Sequence, residues 1–308
     1  MSPKQRSTKP GAERARFKPD VILTFNVDAD KPRLLDFLLE AMADRKRTTV
    51  KDYLKYNQVM VNGSVSRQWD QPLSAGSVVK VNTSREFQVF RNPRLHIVYE
   101  DDDIIVVNKG YGLLSVGTDQ KSEGTAYWLL RDYVKRVDPR NKIFIVHRLD
   151  QQTSGLMLFA KSIQAKEEMQ HNWNNMVLER RYVAVTLGRP DEDEGVIRSY
   201  LAENSAHEVY STNNPKEGKL AVTHYRVLKS HGRYAMLELS LDTGRKNQIR
   251  VHLKDIGHPI VGDRRYGSEV SPIHRLALHA QTLRFIHPIT RRDMSFTCPL
   301  PAGFARLV

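Results

Sequence analysis

One stretch of this sequence sets a base, a carboxylate, two hydroxyls and a glycine between two apolar runs. Residues 143–146 and 156–160 are apolar, and His147, Arg148, Leu149, Asp150, Gln151, Gln152, Thr153, Ser154 and Gly155 lie between them. Each run reads as a short buried strand, because it is apolar and bounded by polar or turn residues. A loop held by two strands suits chemistry, because a rigid frame fixes a tip that substrate can reach. Gly155 lets the backbone turn where a side chain would block it. Asp150 is the candidate catalytic residue. An Asp in a strand–loop–strand is more often a turn residue bonded to its own backbone, so spacing alone leaves both readings open.

A second stretch of chemical interest is Thr243, Gly244, Arg245, Lys246, Asn247, Gln248, Ile249, Arg250, Val251, His252 and Leu253, followed by Gly257, Gly262, Asp263, Tyr266 and Gly267. Ile249, Leu253 and Ile256 share one helical face, and Gly257 is a stop signal. Gln248 and His252 are one turn apart on the same side. His252 suggests acid–base work, but it reads more naturally as a structural histidine with its ring bonded inside the protein.

The elements that must hold these stretches follow from periodicity. Before the first stretch come two strands joined by an acidic turn (residues 96–109) and a helix at 125–137 with Trp128, Leu129 and Val134 as its core face. After it, Ser162 caps a helix running to about 175, and residues 178–185 form a strand. Residues 188–220 are polar and loop-rich, read as hairpins and insertions. Strands follow at 221–228, 234–241 and 276–284. The acidic run 100–103 reads as a hairpin turn, without the Gly and Glu spacing of a calcium loop.

The first 84 residues read differently. Residues 1–18 carry six basic residues against one acidic and show no apolar period, the pattern of a disordered basic arm. A strand at 21–27, a helix at 33–42, a second helix capped by Thr48 or Thr49, an Asn62-Gly63 hairpin and a closing strand at 76–81 follow. Arg45, Arg47, Lys51 and Lys55 bring positive charge to one side of the second helix. Residues 85–94 form a polar linker.

Composition bounds the function. The 308 residues carry a net charge of +13, an excess that points to a polyanionic partner, with nucleic acid first. No run approaches the roughly 18 apolar residues of a membrane helix, and the polar N-terminus is not a secretory signal. The one cysteine, Cys298, forms no internal disulfide, so a reducing cytoplasm is the simplest setting.

The wording of both stretches carries a resemblance. His147-Arg148-Leu149-Asp150 with Thr153-Ser154-Gly155-Leu156 resembles the signature loop of the RluA-type pseudouridine synthases, and Gly244-Arg245 with Gln248-Ile249-Arg250-Val251-His252 resembles a second motif of that family. Lys246-Asn247 stands where the family commonly has Thr-His, and Gly110 where it has proline after Asn108-Lys109, which predicts a looser loop there. The resemblance covers about residues 95–302. Residues 20–84 resemble the alpha-L RNA-binding fold of a small-subunit ribosomal protein.

The resemblance implies an α+β protein. A small α/β RNA-binding domain (19–84) would precede a catalytic domain (95–308) built on a mixed, largely antiparallel sheet with flanking helices. It assigns Asp150 as catalytic carboxylate, Arg250 as the cation that opposes the effect of burial on it, and Tyr182 as the ring lining the uracil. It places Arg148 with the flipped nucleotide, and His147, Thr153, Arg245 and Gln248 with the substrate. Arg45, Arg47, Lys51 and Lys55 are the expected RNA contacts of the N-terminal domain.

The reaction detaches uracil, turns it and rejoins it through a ring carbon without net redox, so no cofactor and no metal are expected. No phosphate-binding Gly-x-x-x-x-Gly-Lys loop or dinucleotide Gly-x-Gly-x-x-Gly is present. The expected partner is RNA, ribosomal RNA before transfer RNA, with no membrane, and the family implies a monomer. The rival readings are a non-catalytic RNA-binding protein, which needs neither Asp150 nor Arg250, and a methyltransferase, which needs a nucleotide-cofactor pocket.

Overall fold

The computed structural model describes residues 20–117, 122–268 and 270–308. The basic arm expected at residues 1–18 lies outside them. The chain divides into two compact units between Val89 and Phe90.

The first unit runs β1 (Ile22–Asn26), α1 (Leu34–Ala41), α2 (Arg47–Lys55), β2 (Val59–Val61), β3 (Ser64–Val65) and β4 (Val78–Asn82). Its strands form an antiparallel sheet in the order β1-β4-β2-β3. Apolar residues at helical spacing drive both helices onto that sheet. Leu34, Phe37 and Leu38 of α1 and Val50, Tyr53 and Leu54 of α2 pack with Val59, Val61, Val79 and Val81. Asn62 and Gly63 have φ of 48° and 83°, the paired left-handed conformations of a tight hairpin turn.

One expectation changes here. Neither Thr48 nor Thr49 caps α2, which starts at Arg47 with Lys46 in the cap position and no side-chain cap bond. Arg45 therefore precedes the helix and pairs with Asp44, while Arg47, Lys51 and Lys55 stand exposed four residues apart along one side. The division between the units falls within 85–94, and this stretch is itself packed. Phe87 is buried and its N–H donates to Asn57 O at 2.9 Å, and Phe90 meets Tyr133 edge-on at 5.4 Å in the second unit.

The second unit contains, in chain order, β5 (Leu95–Glu100), β6 (Ile104–Lys109), α3 (Ala126–Val137), β7 (Phe144–Ile145), β8 (Ser154–Ala160), α4 (Ile163–His171), α5 (Trp173–Met176), β9 (Val177–Leu187), β10 (Glu194–Glu203), β11 (Val209–Thr212), β12 (Lys219–His231), β13 (Tyr234–Leu241), α6 (Gln248–Asp255), β14 (Leu278–Ile286) and β15 (Asp293–Thr297). Among the described residues these strands form one sheet in the order β11-β10-β12-β13-β9-β14-β8-β6-β5, with β7 beside β8 and β15 beside β14. Its pairings are antiparallel except β14 with β8. The mixed, largely antiparallel α+β architecture is the one expected.

β6 and β8 lie at the centre of two cores. Ile105, Val107, Met157 and Phe159 pack under Leu130 and Val134 of α3. Ile104, Val106, Leu156 and Leu158 pack with Ala165 and Met169 of α4. Successive strand residues point to opposite faces, so a strand covered on both faces reads as an unbroken apolar run. The face of α3 departs from expectation at Trp128, which is only half-buried; Val134 is buried with Ala126 and Leu130, and Leu129 packs against the same core. Thr125 caps α3 through Trp128 N, and the four-residue step from Ala126 sets the face.

The acidic β5–β6 turn is a backbone cap. Asp101 Oδ1 accepts from the N–H groups of Asp103 and Ile104, both at 2.8 Å. Asp101, Asp103 and His287 bring possible metal-ligand atoms within 4.8 Å of one another. However, His287 Nδ1 accepts from Ile289 and Thr290 N–H. Nε2 then carries the proton and donates it to Asp101 at 3.0 Å. The group is a hydrogen-bonded corner.

Candidate active site

Residues 146–153 link β7 to β8, and His147, Leu149, Asp150, Gln151 and Thr153 are tied down by hydrogen bonds. His147 Nε2 accepts from Leu158 N–H at 2.9 Å. Ser115 Oγ donates to Leu149 O at 2.6 Å and accepts from Leu149 N–H at 3.2 Å. Thr153 N–H closes a turn on Asp150 O at 3.1 Å. Gln151 and Gly112 exchange bonds, and Lys109 Nζ donates to Gly110, Leu113 and Gln151 carbonyls at 3.2, 2.8 and 3.3 Å. Lys109 is wholly buried.

The expected looseness after Lys109 is therefore absent. Gly110 N–H donates to Arg94 O at 2.7 Å, and a Cβ on Gly110 would meet that oxygen at 2.9 Å.

Gly155 acts differently from a simple turn residue. It sits inside β8 at φ +117°, where an added Cβ would lie 2.1 Å from Ala280 O of β14. The parallel pairing of β14 with β8 passes here, and it brings β14 against the end of the loop.

The loop opens onto a cavity of about 450 Å³, within the ~300–1,000 Å³ common for small-molecule sites. His147, Arg148, Asp150, Thr153, Tyr182, Arg245, Gln248 and Arg250 all line it, so the eight site residues expected in the second unit converge. Trp173, Asn174, Arg180, Asp242 and Asn247 join them.

Asp150 is partly buried, and among the described residues no hydrogen bond reaches its carboxylate. Burial pushes its pKa above the ordinary carboxylate value, while Arg250 first, then Arg148, Lys109 and Lys246, pull it back. The cations limit the rise without cancelling it. Burial also raises the Tyr182 phenol, with Arg180 opposing and Asp150 adding to the rise. Tyr182 reaches this point because β9 pairs with β13 and β14, setting it opposite Leu239 and Ala280.

Arg250 is held from behind. Its Nε and Nη2 donate to the two carboxylate oxygens of Asp263 at 2.8 and 2.7 Å. Nη1 donates to Asn247 Oδ1 at 3.1 Å, and the guanidinium lies 4.9 Å from the centroid of the Tyr266 ring. Burial works against its charge, but the Asp263 pair outweighs that and raises its pKa. Asn247 sits in the left-handed region at φ 54°, which Asn tolerates better than most residues, and its Nδ2 donates to Tyr266 Oη.

Asp263 and Tyr266 were visible in the second stretch, without a role. The signal was a Gly-Asp pair soon after an arginine destined for burial.

Two expected substrate residues have other duties. Gln248 Oε1 accepts from Thr243 Oγ1 and Arg245 N–H, and Nε2 donates to Val222 O and Thr223 Oγ1. Four bonds saturate the amide, so Gln248 clamps α6 to β12 and has nothing left for a base. His147 is pushed by burial, and by Arg180, to a pKa of about 3. It is a neutral ring anchored to β8 and packed 5.2 Å from Trp173. His252 is structural, as expected: Nδ1 bonds Thr223 Oγ1 at 2.8 Å and Nε2 bonds Ser199 Oγ at 3.1 Å. Arg245 is exposed, and its side-chain Nε donates to Leu220 O.

Residues 103–255 match the profile of the RNA pseudouridylate synthase family. The chain is 34% identical over 294 residues to ribosomal large subunit pseudouridine synthase D of Pasteurella multocida, covering 90% of each protein. The chain belongs to the RNA pseudouridylate synthase family.

Its likeness to the Bacillus subtilis protein named uncharacterized RNA pseudouridine synthase YlyB is also 34%, over 93% of this chain and 96% of that one. Human RNA pseudouridylate synthase domain containing 4 superposes on 68% of this chain and 90% of its own, with a TM-score of 0.57 and 26% identity. The protein is thus an RNA pseudouridine synthase, an isomerase whose substrate is RNA. Among the described residues, no helix is long and apolar enough to cross a membrane.

Proposed function

We propose that this pseudouridine synthase converts uridine in large-subunit ribosomal RNA, with Asp150 as its catalytic carboxylate. The observation that carries the reading is the setting of Asp150. It lies on a fixed loop in a cavity of nucleotide size, free of hydrogen bonds from the described residues and surrounded by cations that favour its ionised form. The relatives named for the large ribosomal subunit supply the RNA class. The carboxylate acts at the sugar, as nucleophile or as base, while Tyr182 lines the uracil and Arg250 opposes the effect of burial. Arg148, exposed next to Asp150, fills the space the base leaves or holds phosphate. Unstacking the base costs a few kcal/mol, which phosphate contacts offset.

The N-terminal unit serves as an RNA-binding domain through Arg47, Lys51 and Lys55, with Arg45 beside them. The working unit on this reading is a monomer, as the family resemblance implies, and the cytoplasm its setting.

The test is pseudouridine mapping on unmodified ribosomal and transfer RNA, treated with wild-type protein or with Asp150→Asn. New pseudouridine in large-subunit RNA with wild type alone is the expected result. Product only in transfer RNA would overturn the substrate class. Product with Asp150→Asn would overturn the catalytic assignment.

A further inference from the structure

Arg180 differs from the cavity cations discussed so far. β9 carries it two residues before Tyr182, on the same side of the strand. Its Nη2 donates to Leu241 O at 3.1 Å, and its guanidinium lies 5.6 Å from the centroid of the Trp173 ring. A Cβ on Gly244 would meet Nη1 at 2.8 Å. The side chain therefore spans the cavity from Trp173 on one wall to the turn after β13 on the other. Trp173 is itself backed by the His147 ring, and Gly244 leaves the space that Nη1 occupies.

No carboxylate among the described residues pairs with Arg180, unlike Arg250 with its Asp263. Asp242, the other acid of this wall, bonds His224 instead. A guanidinium has five N–H donors, and the bond to Leu241 O engages one of them. A half-buried cation so braced, and without a counter-charge, fits an anion with two adjacent oxygens. An RNA phosphodiester beside a base turned into this cavity is such an anion.

We propose that Arg180, held between Trp173 and Gly244, receives a backbone phosphate flanking the target uridine and so sets how the sugar meets Asp150. The proposal rests on the pseudouridine synthase reading of the cavity. It makes Trp173 and Gly244 positioning residues, acting through Arg180.

The test uses RNA substrates with a single neutral methylphosphonate at each phosphate within two nucleotides of the uridine that wild type converts. One such substitution is expected to lower wild-type kcat/KM by about ten- to a hundredfold, the worth of one charge-assisted hydrogen bond. Arg180→Gln should lose as much on native RNA and be indifferent to that methylphosphonate. Its log–log salt slope for RNA binding should flatten by about 0.7–0.9. Arg180→Lys should keep the slope and lose part of kcat/KM. Gly244→Ala, which displaces the guanidinium without removing it, should weaken the wild type and add nothing to Arg180→Gln.

If Arg180→Gln keeps the wild-type salt slope and its sensitivity to every flanking methylphosphonate, Arg180 is only a brace between walls and the proposal fails. A wild-type protein that makes no pseudouridine would instead sink the reading of the cavity itself.

Discussion

Asp150 sits in a contest between burial and charge, and burial wins. A raised pKa in the folded state means that folding favours the protonated form. The stability this group contributes is full below its unfolded value and is lost as pH rises through the folded one. At neutral pH the carboxylate therefore costs stability, and Asp150→Asn should melt at the wild-type temperature or above it while making no product. A clear fall in Tm would contradict the electrostatic account.

The same shift predicts activity. If the ionised form reacts, the acid limb of the kcat/KM profile lies above the ordinary carboxylate range. Replacing Arg250, the strongest opposing charge, should move that limb further up. Asp263 belongs to the same scale. Its side chain is fully buried and that of Arg250 is 10% exposed, so Asp263→Asn leaves a buried cation without its partner, a loss of about 3–5 kcal/mol to be read from urea unfolding.

At the scale of elements, two glycines decide where the loop sits. Gly155 lets β14 pass against β8 in parallel, and no side chain fits beside Ala280 O. Gly155→Ala adds overlap to a backbone conformation costing about 1–3 kcal/mol for a residue with a Cβ. We expect it to destabilise by at least that much and to abolish activity; a wild-type melting curve would rule out this register. Gly110 is the second case. Proline, usual at this place in the family that the sequence resembles, would remove the N–H bonded to Arg94 O and crowd that oxygen. Gly110→Pro should therefore lose about 1–3 kcal/mol, where a merely loose loop would gain from the ring.

At the scale of the whole molecule, the proposed function divides the charge of +13 between two kinds of work. On that proposal the cavity cations meet the reacting nucleotide, and the row Arg47, Lys51 and Lys55 meets the RNA elsewhere. Changing these three to Gln should flatten the log–log salt slope of RNA binding by about 0.7–0.9 for each phosphate that is no longer neutralised. At saturating RNA, kcat should hold. A fall in kcat with an unchanged slope would assign the helix a different task.

What the sequence determined by itself is local. The Asn62-Gly63 hairpin, the Ser162 cap, the apolar runs of β6 and β8 and the two polar stretches were legible because turn chemistry and periodicity act between near neighbours. The eight cavity residues of the second unit were named from two stretches and one strand, and they do converge. Some failures were local too, such as the cap of α2 and the place of Trp128 on α3.

Only the tertiary structure decided how the stretches are held. It set Asp263 behind Arg250, Lys109 beneath the Asp150 loop, and Arg180 between Trp173 and Leu241. It also used up the amide of Gln248 inside the protein. Each of these partnerships depends on which strands lie side by side. The β8–β14 pairing joins residues 125 apart in the chain, and no local period reports it. The hydrogen bonds of a buried polar group are chosen by what the fold brings within about 3 Å, so they become visible only once the sheet has closed.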